Sequence, residues 1–66
     1  MLYQIVIPGY KSTELALLAK LGLICTRYYV PESSLRTNLS WPLKEVTKLR
    51  DQLIKMGADP ATTTIA

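Results

Sequence analysis

Histidine is missing from the 66 residues altogether, which removes Ser-His and Cys-His nucleophile pairs and every histidine-based metal site. Cysteine occurs once, as Cys25. The chain can therefore form no internal disulfide and no cysteine zinc site, and a reducing compartment, the cytoplasm, is the expected location. No apolar run approaches the roughly 20 residues that a membrane span needs. The N-terminal segment LYQIVIP is strand-like and lacks the basic region, apolar stretch and cleavage site of an export signal. The five acids, Glu14, Glu32, Glu45, Asp51 and Asp59, are scattered over helix starts, turns and a solvated helix face, with no pair set to converge for acid-base work. They read as surface charges and capping groups, so no catalysis, metal or cofactor is expected. Cys25, in the middle of an apolar stretch, reads as a small buried hydrophobe.

What the sequence does have is apolar content: 48% of residues are hydrophobic and only 20% are charged. A chain this short forms one domain, residues 1–66, and hides only about 60% of its unfolded surface. That is more apolar material than one small core readily takes in, which points to contact with another chain. The net charge of +3 is modest and suits solubility as well as attraction to phosphate.

The segment from Ser40 to Gly57, SWPLKEVTKLRDQLIKMG, has caps, period and length in agreement. At about 100° per residue, Leu43, Val46, Leu49, Leu53, Ile54 and Met56 gather on one side and Lys44, Lys48, Asp51 and Lys55 on the other. Ser40 can cap the helix, Pro42 is tolerated in its first turn and Gly57 can end it in a left-handed conformation. A helix over residues 42–56 follows.

Residues 2–7 read as a central strand, with Tyr3, Ile5 and Ile7 on one face and Leu2, Gln4 and Val6 on the other. Pro8-Gly9 breaks it. A mostly buried helix over residues 13–21 follows, capped by Ser12 or Thr13, with Glu14 in its positive first turn and Gly22 as its stop. Residues 23–30, LICTRYYV, form a second strand closed by Pro31. LRTNLSW can return as a short, more polar edge strand; without it a three-stranded sheet remains. After an Asp59-Pro60 turn, ATTTIA has the composition of a last short strand. LAKLG and LIKMG close the two helices alike, as expected where lysine favours a last turn and glycine the position after it.

This order gives an α+β fold, the ferredoxin-like βαββαβ plait, with both helices on one face of a mainly antiparallel sheet. The run IVIPGYKSTELALLAKLG and the order of elements around it resemble the SPOR domain, a small βαββαβ module. The resemblance implies that fold and, as an alternative function, binding of bacterial cell-wall glycan.

Two groups of residues are candidates for binding. Tyr3, Arg27, Tyr28, Tyr29, Arg36 and Trp41 are set near one another by the second strand and its return. Tyrosine, tryptophan and arginine dominate protein interfaces. The leading expectation is a non-catalytic protein that self-associates or docks on a larger partner through this group. Chains this small are common among accessory factors such as phage or mobile-element inhibitors of host machinery. The same side chains on an open sheet face could stack and neutralise single-stranded nucleic acid or a nucleotide, although LRTNLSW lacks the glycines of the RNA-recognition pattern. Gly9, Lys11 and Ser12 lead into a helix start and form the best small-anion site, without the spaced glycines of a nucleotide loop.

Overall fold

The computed structural model describes residues 1–24 and 34–66. Two helices and a three-stranded antiparallel sheet make a small α+β fold. Strand β1 (Ile5–Pro8) is followed by helix α1 (Ser12–Lys20), strand β2 (Ser34–Arg36), helix α2 (Leu43–Lys55) and strand β3 (Thr64–Ile65). β1 is central, as its apolar composition requires, and pairs antiparallel with β2 through Val6–Arg36 and Ile7–Leu35 and with β3 through Ile5–Ile65 and Val6–Thr64. β2 and β3 therefore run parallel on either side of β1, with α2 as their crossover, which is a split β-α-β unit. The short return strand within LRTNLSW is present as β2. Of the strand read over residues 23–30, Leu23 and Ile24 form a bend and the remainder lies outside the described residues. The described residues supply three strands, where a ferredoxin-like plait has four.

Alternation along β1 buries Ile5 and Ile7 and leaves Val6 partly open. The buried pair joins Leu18 of α1, Leu35 of β2, Val46 and Leu53 of α2, and Ala58 in one cluster. A single cluster that takes in both helices places them on the same face of the sheet. On α2 the buried stripe is shorter than the sequence pattern. Val46 and Leu53 are buried, while Leu43 and Met56, expected on the core side, are exposed because they occupy the two ends of the helix. α1 is likewise covered on one side only, with Leu18 buried but Ala16 and Leu21 exposed.

The helix starts differ from the expected caps. For α1 the cap position is Lys11, not Ser12 or Thr13, and the N–H of Lys11 donates to Glu14 Oε1 at 2.8 Å. This is the glutamate half of a capping box, in which the carboxylate one turn in satisfies the cap residue's own amide. For α2 the cap position is Pro42, whose carbonyl accepts from the N–H groups of Glu45 and Val46 at 3.0 Å each. Ser40 lies too early, because two backbone bonds between Trp41 and Tyr3, at 2.7 and 2.8 Å, hold the chain extended through Trp41.

The two helix ends are built alike. Leu23 N–H donates to the Leu18 carbonyl and Gly22 N–H to that of Ala19, and Ala58 and Gly57 repeat this on Leu53 and Ile54. This is the Schellman arrangement, with Gly22 at φ 72° and Gly57 at φ 116°. The likeness of LAKLG to LIKMG is this shared geometry.

Candidate contact surface

Tyr3 and Trp41 form an isolated antiparallel bridge beyond the end of the β1–β2 ladder. The ladder stops at Thr37, whose buried hydroxyl takes the role of a strand carbonyl. Thr37 Oγ1 accepts from the Ile5 N–H at 3.2 Å and donates to the Leu39 carbonyl at 3.0 Å, and Gln4 Nε2 donates to the Thr37 carbonyl at 2.7 Å. Residues 38–40 bulge outward before the strand returns at Trp41.

The bridge divides the predicted aromatic-basic group. Tyr3 shares a face with Ile5 and Ile7, and both Tyr3 and Trp41 are half-buried and pack against the core. Arg36 pairs with Val6 on the opposite face, where its Nη1 donates to Gln4 Oε1 at 3.1 Å. Arg27, Tyr28 and Tyr29 lie outside the described residues. The open face, as far as it is described, is Val6 among Gln4, Arg36 and Thr64, and is more polar than the sequence pattern suggested.

The apolar surface collects instead around the bridge. Leu2 and Leu43, each within two residues of it, are 64% and 54% exposed, Leu39 in the adjoining bulge is 54% exposed, and Met1 is fully exposed. The half-buried aromatics of the bridge thus have exposed leucines within two residues of them along the chain.

No family model, no curated protein and no solved structure matches the chain.

Of the anion-site residues Gly9, Lys11 and Ser12, Lys11 gives its backbone N–H to a carboxylate of the chain's own, Glu14. Glu14, read from the sequence as a first-turn acid and capping group at the surface, is at the helix start but only 2% exposed. Its Oε1 accepts from Lys11 N–H and its Oε2 from Asp59 N–H at 3.1 Å, which ties the start of α1 to the loop after α2. A shallow groove of about 380 Å³ lies on the outer side of α1, lined by Thr13, Ala16, Leu17, Lys20, Met56 and Gly57. Among the described residues, no three of His, Cys, Asp and Glu gather as a metal site, and no helix is long and apolar enough to cross a membrane.

Sequence reasoning missed Thr37, Arg50 and the exposed leucines. Leu39 was legible in part, being an apolar residue between Asn38 and Ser40. Arg50 was not: it stands on the core-side stripe of α2 between Val46 and Leu53, and sends Nε to the Thr63 carbonyl at 2.9 Å.

Proposed function

We propose that the protein is a non-catalytic binding module that docks on a macromolecular partner, a second copy included, through the Tyr3–Trp41 end of its sheet. The observation that carries this is the bridge itself with Leu2, Leu39 and Leu43 more than half exposed around it. Large apolar side chains left exposed near aromatic residues are common at protein interfaces, where aromatics serve as anchors. The core already holds Ile5, Ile7, Leu35 and Val46 without help from these leucines. Their apolar character is therefore not needed for folding.

The test is the solution mass of the wild type and of the double variant Leu39→Glu, Leu43→Glu over a range of concentrations. A self-associating wild type and a monomeric, equally stable double variant would support the reading, with a second copy as occupant. A wild type that remains monomeric assigns the surface to a foreign partner. A double variant that unfolds, or that associates as the wild type does, would show that these leucines are packing residues or bystanders and would end the proposal.

A further inference from the structure

The outer face of α2 carries charge where a helix does not favour it. At about 100° per residue, Lys44, Lys48 and Lys55 fall within a sector of about 40°, opposite the buried Val46 and Leu53, and all three are exposed. The stripe they form is about 17 Å long at about 1.5 Å per residue. Lysine in a last turn suits the helix dipole, which accounts for Lys55. Lys44 stands in the first turn, at the positive end, where a cation is unfavourable. Lys48 follows it by four positions, so like charges lie one turn apart, which also works against the helix. Helix stability therefore explains Lys55 and opposes the placing of Lys44 beneath Lys48.

The chain's acids do not neutralise the stripe. Asp51 lies within the sector, but its Oδ1 is 3.6 Å from Arg50 Nη1, and no described acid forms an ion pair with any of the three lysines. Glu45 stands about 60° to one side of Lys48. Glu14 is buried with both carboxylate oxygens on backbone N–H groups and is not there to pair with a lysine.

We infer that this face of α2 binds the phosphate backbone of double-stranded nucleic acid, irrespective of sequence. The sector offers point charge alone. It has no apolar side chain to enter a bilayer, no aromatic to stack an unpaired base, and neither aromatic nor arginine to anchor a protein. A duplex carries one negative charge per about 1.7 Å of its axis, so a stripe about 17 Å long meets several phosphates at once. Such binding does not require the Tyr3–Trp41 end.

The test is the fluorescence anisotropy of a labelled duplex of about 20 base pairs, titrated with the protein at salt concentrations from about 50 to about 200 mM. Three lysine–phosphate contacts give a slope of log affinity on log salt of about −2.7, a loss of about fortyfold over that range. Replacing Lys44, Lys48 and Lys55 together by glutamine should remove most of this slope and weaken binding at least tenfold at the lower salt. Glutamine is a good helix former, so the variant should keep the wild-type circular dichroism. Lys11→Gln, Lys20→Gln and Arg36→Gln together remove as many charges from elsewhere on the chain, and should leave the affinity within about threefold, because charges beyond a Debye length are screened. A duplex left unbound, whether or not vesicles of phosphatidylserine bind, overturns the inference. So does an affinity that ignores salt, or a loss as great in the second set of variants as in the first.

Discussion

Thr37→Val is the sharpest probe of how this sheet is held together. Valine has nearly the shape of threonine, and Thr37 is 2% exposed, so packing should change little. What disappears is the acceptor for the N–H of Ile5, a residue with no exposure at all. A buried donor left without a partner costs about 1–3 kcal/mol. The Leu39 carbonyl also loses its donor but belongs to an exposed residue and can turn to water, which adds little. The extra methyl of valine recovers about 0.8 kcal/mol, which leaves a net loss of about 0.2–2.2 kcal/mol, centred near 1. In a domain of this size each kcal/mol moves the melting temperature by about 4–8 °C, so the central expectation is a fall in Tm of roughly 4–8 °C. Thr37→Ser keeps the hydroxyl and gives up one methyl, about 0.8 kcal/mol. The two variants are best separated by amide hydrogen exchange, in which Ile5 should lose protection in the valine variant and keep it in the serine variant. A valine variant as stable as the wild type, with the Ile5 amide still protected, would refute the claim that this hydroxyl replaces a strand carbonyl.

Glu14→Gln retains one acceptor and turns an amide group toward the other backbone N–H; urea unfolding should show a loss of about 1–3 kcal/mol, against which a neutral result would count. Gly57→Ala, at φ 116°, and Gly22→Ala, at φ 72°, should each cost about 1–2 kcal/mol by thermal unfolding, whereas an unchanged Tm would argue against the shared helix ending. Leu53→Ala in the core should cost about 2–5 kcal/mol, enough to unfold much of so small a domain, while Leu43→Ala at the exposed start of the same helix should stay within about 0.5 kcal/mol in denaturant titrations.

The elements that could be read from sequence are those whose signals repeat along the chain. The period of α2 and the Lys-hydrophobe-Gly endings each draw on several residues and located both helices to within a residue. The first strand, read over 2–7 and broken at Pro8, instead runs from Ile5 through Pro8, which pairs with Ser34. What escaped are bonds between residues far apart in sequence. Glu14 was legible as a helix-start acid, but its second oxygen is occupied by Asp59, 45 positions away. Thr37 was one polar residue in a doubtful strand, and only its position opposite Ile5 gives it a role. Of the candidate surface, the described members Tyr3, Arg36 and Trp41 do not share one face, for a similar reason. Arg36 and Trp41 are five positions apart, which on an unbroken strand would place them on opposite faces. A sequence reading that ignores this parity unites them, and even with the bulge at residues 38–40 the structure keeps them apart.

The same long-range bonds show where the stability of this fold resides. Its strands of four, three and two residues have more ends than rungs, and in a chain this short apolar burial and conformational entropy nearly cancel. Among the described residues the buried polar ones are Glu14, Thr37 and Thr63, and each stands at the end of an element. Glu14 closes the start of α1, Thr37 ends the β1–β2 ladder, and Thr63, bonded through its hydroxyl to the Asp59 carbonyl at 2.7 Å, leads into β3. Replacing buried polar groups by apolar ones can stabilise a protein when both partners are side chains that can be exchanged together. Here every partner is a backbone N–H or carbonyl that substitution cannot remove. Apolar replacement at these three positions should therefore destabilise the fold however well the new side chain packs.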